Sequence, residues 1–364
     1  MGALSMKAVI RRGTSLICDE VSAPIPTAGQ TLVKTLCCGI CGSDLHALHY
    51  LDNMVEAGIR SGGESSLNPK ADVIFGHEFC AEVLEHGPGT TGALKAGTRV
   101  VSMPVLITAS GFNAVGYSNT TPGGFAEQMV LNENMLIPVP NGLSTDHAAM
   151  TEPFAVGAHA AAAAALEPGS PCLVLGCGPV GLAVIAALKS RGHGPVIAAD
   201  FSPTRRATAE KMGADVIIDP AKESPYGRWS DLGVPANGKE EFMMQMMGKT
   251  WPRPIIFECV GSPGVLQKVM EGAPPRAQII VAGVCMQPDT IEPSIAINKH
   301  LDLRFVLGYT PEEFAGTLQD IAEGRIDVSP MITGKVGLSE VAGAFTALAN
   351  PDNHVKILVD PQRA

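Results

Sequence analysis

Gly76-His77-Glu78, read with Cys41 upstream and Glu152 downstream, supplies the side chains of a catalytic zinc site. Thiolate, imidazole and carboxylate all bind Zn²⁺, and three protein ligands leave the fourth tetrahedral corner open for water or substrate. The segment Gly39-Ile40-Cys41-Gly42-Ser43-Asp44-Leu45-His46 adds a hydroxyl, a second carboxylate and a second imidazole. In this reading Cys41 and His77 are ligands, and Asp44 orients His77 through its other ring nitrogen. Ser43 takes a proton from an alcohol and passes it through a ribose toward His46 and solvent. Glu78 and Glu152 are both open as the third ligand, directly or through water. Glu152, in Thr151-Glu152-Pro153, also fits a helix cap. Taken alone, His77 would read as an ordinary hydrogen-bonded histidine; the Cys41 segment and Glu78 reverse that. Cys38-Gly39-Ile40-Cys41 also spells a thiol redox pair, but no thioredoxin-like frame surrounds it and no second C-x-x-C pair would complete a structural zinc site.

A second motif, Gly176-Cys177-Gly178-Pro179-Val180-Gly181, fits a dinucleotide-binding turn. Its glycines turn the chain, let backbone approach a pyrophosphate and let helix pack on strand. The strand Cys172-Leu173-Val174-Leu175 precedes it, an apolar helix follows, and a further strand ends at Asp200. An acid about 20 residues beyond the glycines accepts hydrogen bonds from the adenosine ribose, which favours NAD over NADP. Arg205 and Arg206 follow closely enough to hold a 2′-phosphate, although they also read as solvated helix residues. Metal and nicotinamide together point to oxidation of an alcohol.

The elements that must position these residues fall into two groups. Residues 1–155 are rich in Gly, Pro and short β-branched runs such as Gln30–Lys34 and Gly97–Val101, which predicts a β-rich domain with few helices. Leu48–Val73 reads there as a long excursion, a candidate lid with a role in substrate choice, containing Arg60-Ser61-Gly62-Gly63-Glu64. Residues 156–299 alternate strand and helix, the pattern of a doubly wound parallel sheet. The stretch 223–254 reads as a surface helix with flanking loops. Residues 300–364, ending in the apolar strand Val355–Val359, are expected to return to the first domain.

Bulk properties narrow the partners. The 364 residues carry a formal net charge of −10, with 46% apolar and 17% charged residues, which offers no basic field for nucleic acid or anionic lipid. Met1-Gly2-Ala3-Leu4 lacks the apolar core of a signal peptide, and no stretch reaches the roughly 20 apolar residues of a membrane span. Nine scattered cysteines do not read as a disulfide framework, so a cytoplasmic protein with a small-molecule partner is expected.

Jointly the segment 39–46, Gly76-His77-Glu78, Gly123-Gly124-Phe125-Ala126-Glu127, Glu152-Pro153, the turn 176–181 and Phe257-Glu258-Cys259-Val260-Gly261 resemble the zinc-dependent medium-chain dehydrogenase/reductase family of alcohol, polyol and threonine dehydrogenases. The resemblance implies an α/β fold, with a GroES-like β-rich catalytic domain beside a Rossmann NAD-binding domain. It implies oxidation of a secondary alcohol, diol or polyol, and a homodimer or homotetramer. It further implies that Val156 and Val180 pack on the nicotinamide, that Ala282 to Val284 lie beside its carboxamide, that Val260 belongs to the coenzyme site, and that Lys356 approaches the pyrophosphate. Many members carry four clustered cysteines around a structural zinc, and the segment 101–123 has none, so one catalytic zinc is expected. The apolar run Met103–Ile107 tilts the expected substrate toward a less polar alcohol. The competing readings are a zinc-free NAD(P)H-dependent enone or quinone reductase and a noncatalytic nucleotide-binding protein.

Overall fold

The computed structural model describes residues 5–63, 67–108, 111–140 and 142–363. The readings of Met1–Leu4 and Glu64 lie outside the described residues. The chain forms two units, residues 1–153 with 314–364, and residues 154–313. These bounds differ from the domain limits read from sequence, chiefly at the return, which comes at 314 and not at 300. The reason is a sixth parallel strand after residue 300, described below.

The first unit begins with an antiparallel pair, β1 (Ser5–Arg12) and β2 (Ser15–Ser22). The long strand β3 (Gln30–Gly39) pairs antiparallel with β4 (Glu78–His86), in a register that sets Gly39 opposite Glu78. Between them runs helix α1 (Gly42–Arg60), where the sequence reading expected an excursion. Its buried face, Asp44, Ala47 and Leu51, has helical spacing, and Leu48, Met54 and Val55 pack on the same core. Tyr50 leaves helical geometry and kinks the helix, which blurs that periodicity. The unit continues through β5 (Arg99–Val101), the hairpin β6 (Val105–Thr108) and β7 (Gly111–Ala114), then β8 (Gln128–Asn132) and β9 (Ile137–Pro138). Leu106 of the hairpin is buried in the core, while Ile107 and Phe112 are exposed. Two helices follow, α2 (Thr145–Ala149) and α3 (Thr151–Ala163), and the chain passes to the second unit within α3.

The second unit alternates as expected: β10 (Cys172–Leu175), α4 (Pro179–Ser190), β11 (Val196–Ala199), α5 (Pro203–Lys211), β12 (Val216–Ile218), α6 (Gly238–Met246), β13 (Ile255–Glu258), α7 (Val265–Gly272), β14 (Gln278–Val281), α8 (Pro293–Lys299) and β15 (Asp302–Phe305). All six strands are parallel, in the order β12-β11-β10-β13-β14-β15. Strands β10, β11, β13 and β14 are buried along their whole length, as a sheet covered by helices on both faces requires. Helix α6 confirms the surface helix expected in 223–254, but Trp229 before it is buried in this unit's core.

Helix α9 (Pro311–Ala322) carries the chain back to the first unit, followed by β16 (Ile332–Val336), α10 (Val341–Leu348) and β17 (Lys356–Val359). Strand β17 pairs parallel with β16 and antiparallel with β3, setting Leu358 opposite Gly39. Three segments far apart in sequence therefore meet at the end of β3.

Candidate active site

Because Gly39 ends β3 opposite the first residue of β4, the chain leaving one strand lies beside the chain entering the other. That register brings Cys41 to His77 and Glu78, whose ligand atoms lie within 4.8 Å of one another. Tetrahedral ligation at about 2.0–2.3 Å separates ligand atoms by roughly 3.3–3.8 Å, so a small contraction closes this group on zinc. It is a single such group among the described residues. His77 and Glu78 are buried and Cys41 is half-buried.

Cys41 stands at the N-cap of α1, and Asp44 reaches back from the first turn so that its Oδ2 accepts from the Cys41 N–H at 3.0 Å. Asp44 is fully buried. Its Oδ1 lies 3.4 Å from His77 Nδ1, and that buried nitrogen has no hydrogen-bond partner. The orienting contact read from sequence is thus a close electrostatic one on the Nδ1 side of the ring. Burial is the largest influence on His77 and pulls its pKa down, but Asp44 and Cys41 outweigh it and leave the imidazole well above its ordinary range. A cation held between these groups would take the place of that proton.

Glu78 has a partner that the sequence reading placed elsewhere. Lys356 Nζ donates to both Glu78 oxygens, at 2.7 and 2.6 Å, and to the Ile40 carbonyl at 3.0 Å. An ammonium has three donors, so none is left for a coenzyme pyrophosphate, and both side chains are fully buried. Lys356 is therefore the counter-charge of Glu78. Burial is the largest influence on its pKa and lowers it, yet Glu78 and the other acidic groups win and hold it above the ordinary lysine value. Glu152 sits in the first turn of α3, nearly buried and close enough to contribute to the field on Lys356, but outside the Cys41, His77, Glu78 group.

Ser43 and His46 lie one turn apart on α1, half-buried and exposed respectively. Tyr117, which the sequence reading missed, places its hydroxyl 2.9 Å from Ser43 Oγ and 3.0 Å from Asp44 Oδ1. Its ring centroid is 5.4 Å from that of His77. This approach depends on Gly116 (φ +86°), where a Cβ would stand 2.9 Å from the Gly76 carbonyl oxygen. No spacing rule connects Tyr117 to residues 43 and 44, so nothing in the sequence marked it.

The residues read as coenzyme contacts, Lys356 apart, lie in the second unit. Gly176 leaves β10 with φ +85°, and Gly178 is the N-cap of α4 with Pro179 at its first position. A Cβ on Gly181 would collide with the Gly176 carbonyl, so the helix closes on the turn only without a side chain. The free N–H groups and dipole at the start of α4 suit a phosphate. Asp200 follows β11; its Oδ2 accepts from Cys177 N–H at 2.7 Å and its Oδ1 from Ser202 N–H at 2.8 Å. Those bonds aim the carboxylate at the glycine turn and leave further lone pairs for ribose hydroxyls. Arg205 lies 3.9 Å from Asp200 with a buried Nε that has no hydrogen-bond partner. Arg206 is tied to Asp219 and to the Asp200 and Phe201 carbonyls, so it is a bracing residue, not a solvated one.

Val260 and Val284 are exposed apolar side chains after β13 and β14, with Ala282 buried between strand and loop and Val180 half-buried in α4. Glu258 organises this edge: its buried Oε1 accepts from the Val260 and Gly261 N–H groups at 2.7 and 2.9 Å. Half-buried Val156 adjoins Gly157, whose missing side chain lets α3 press against Ala183 and Val184 of α4.

A metal-ligand trio on a β-rich unit and a glycine turn on a doubly wound sheet define a zinc- and nicotinamide-dependent oxidoreductase. Residues 27–141 match the alcohol dehydrogenase GroES-like domain family, and residues 179–323 match the zinc-binding dehydrogenase family. The chain is 30% identical over 352 residues to (R,R)-butanediol dehydrogenase of Bacillus subtilis strain 168, covering 94% of this chain and 96% of that one. It is 29% identical to sorbitol dehydrogenase of the same organism, covering 99% and 98%. The crystal structure of 2R,3R-butanediol dehydrogenase from Bacillus subtilis superposes with a TM-score of 0.78 at 28% identity, covering 98% of this chain and all of that one. The chain belongs to the zinc-dependent medium-chain dehydrogenase/reductase family.

Proposed function

We propose that this protein oxidises a secondary alcohol, diol or polyol to the corresponding ketone or aldehyde and transfers the hydride to NAD. The gathering of Cys41, His77 and Glu78 carries the reading, because a zinc-free reductase has no use for a buried thiol, imidazole and carboxylate converging on one point. Zinc held there would lower the pKa of a bound hydroxyl, as it lowers that of bound water to about 7, and NAD would accept the hydride. Cys41, His77 and Glu78 form the donor set, and Glu152 is the further carboxylate within reach of the same field. Lys356 sets its ammonium against both Glu78 oxygens and so supplies the counter-charge of a buried carboxylate. Ser43 accepts the alcohol proton, and exposed His46 one helical turn on connects it to water.

Asp200 favours NAD, since a carboxylate beside the ribose repels a 2′-phosphate. Two relatives named for a diol and a polyol support adjacent hydroxyl groups as the substrate class. The earlier tilt toward an apolar alcohol finds little support, because Leu106 is a core residue.

We further infer a homo-oligomer. Strand β15 is the outer strand of its sheet, with Phe305 and Leu307 exposed beside its open edge. A second copy pairing there would cover both the backbone and the apolar side chains. No helix among the described residues is long and apolar enough to cross a membrane, and all nine cysteines are free, which supports the cytoplasm as its place.

The test follows NADH absorbance with vicinal diols, polyols and simple secondary alcohols, with NAD and with NADP, before and after zinc chelation. Chelator-sensitive reduction of NAD, abolished by Cys41→Ala or His77→Ala, is the expected result. Chelator-resistant turnover of an enone with NADPH would overturn it.

A further inference from the structure

We propose that Tyr117 is a positioning residue of this site: its hydroxyl holds Ser43 as an acceptor toward the alcohol and holds Asp44 against the imidazole of His77. The inference rests on the zinc and NAD reading above and adds a residue to it.

The argument is one of counting protons. Tyr117 Oη lies 2.9 Å from Ser43 Oγ and 3.0 Å from Asp44 Oδ1, and a phenol has one hydrogen to give. An ionised carboxylate only accepts, and a bond to it is stronger than one between neutral groups, so the phenol hydrogen goes to Asp44. The bond to Ser43 must then run the other way, with the Ser43 hydroxyl donating to Tyr117 Oη. A serine in the first turn of a helix would otherwise rotate its hydrogen freely. In the resting site that hydrogen lies on Tyr117 Oη and the remaining lone pairs of Oγ face the alcohol; as Oγ takes the alcohol proton, its own hydrogen leaves Tyr117 for the path toward His46 and water.

The ring is fixed as firmly as the hydroxyl. It lies between Phe75 and His77, with ring centroids 5.6 and 5.4 Å away. Gly116, bearing no side chain, lets its backbone lie against that of Gly76 and so sets that stack. The same hydroxyl fills one acceptor site of Asp44 while Cys41 N–H fills another, so the carboxylate has little freedom to swing from His77. Partners that orient a metal-binding histidine are worth 10–100-fold in metal affinity or activity, by the usual range of such contacts.

Tyr117→Phe keeps the ring and deletes only the hydroxyl. The expected result is a loss of about 10-fold or more in kcat with KM changed by less than about 3-fold, and Zn²⁺ affinity about 10-fold weaker by chelator competition. In the Ser43→Ala background, with zinc saturating, the same change should alter kcat by less than about 2-fold, because the proton acceptor it orients is gone, while the loss of Zn²⁺ affinity through Asp44 should persist. Tyr226→Phe, in the other unit, is the control for loss of a phenol and should leave both readouts unchanged. If Tyr117→Phe matches the wild type in kcat and in Zn²⁺ affinity, the proposal fails. It fails equally if the Tyr117 and Ser43 effects on kcat simply multiply. Should the wild type oxidise no alcohol at all, the functional reading falls, while chelator competition still decides whether Tyr117 supports the metal ligands.

Discussion

Replacing Lys356 with Met tests the central electrostatic feature of the site. The ammonium gives all three of its hydrogens to Glu78 and the Ile40 carbonyl, and both charged groups are fully buried. Removing one member of such a pair leaves the other charge uncompensated, at a cost of about 3–5 kcal/mol. Replacing both, Lys356→Met with Glu78→Leu, removes the orphan charge and leaves only the Ile40 carbonyl short of a donor, so the net loss should shrink to about 1–2 kcal/mol. Urea unfolding of the metal-free protein, followed by circular dichroism, measures both numbers and the coupling between them. Zinc should restore more stability to Lys356→Met than to the wild type, because it brings a cation back beside Glu78. If Lys356→Met costs less than about 1 kcal/mol while NAD affinity collapses, the lysine serves the coenzyme and the burial argument is wrong.

Other consequences are open to direct measurement. The fold holds the His77 pKa well above its ordinary value, and zinc requires the neutral imidazole, so a proton must leave before the metal binds. Zinc affinity should therefore rise as pH increases until the pH passes that raised value, and fall in acid; chelator competition from pH 6 to 9 reads the slope, and a flat profile would contradict the assignment. Asp200→Asn keeps the shape of the side chain but removes the charge that disfavours a 2′-phosphate. It should lower kcat/KM for NAD by about 10-fold and raise it for NADP, with Arg205 free to pair with the phosphate. Phe305→Lys on β15 places a charge at the open sheet edge and should shift sedimentation toward the monomer while leaving circular dichroism unchanged.

What the chain discloses in advance depends on whether a feature is carried by neighbours in sequence or by partners in space. The glycine turn was legible because strand, turn, helix and acid occur within one run of residues, and the structure keeps them together around Cys177 and Asp200. The candidate metal-ligand group was legible because few residue types bind zinc, and Cys41 and His77, which the fold brings together with Glu78, each stood in a distinctive local setting. Helix α1 was lost even though Ala47, Leu51, Met54 and Val55 repeat at helical spacing, since the kink at Tyr50 and the many polar residues masked the stripe. Tyr117 and Lys356 had no local signal of their roles, because their partners lie 74 and 278 positions away.

Yet Lys356 was open to inference by a different route. It is a lone charge in Val355-Lys356-Ile357-Leu358-Val359, a run whose apolar neighbours demand burial, and every residue of β17 is in fact buried. A buried ammonium without a carboxylate would lose its proton or unfold the strand. Its partner therefore had to be an acid on another buried segment, and Glu78, beside a metal-binding histidine at the head of β4, was the acid with most to gain. Assigning the lysine to a solvent-facing phosphate ignored that constraint. The burial of Glu78 and the presence of Lys356 are one requirement seen from two strands: a buried carboxylate needs a fixed cation beside it. The β3 pairings supply it, setting Glu78 and Leu358 opposite Gly39 on its two edges.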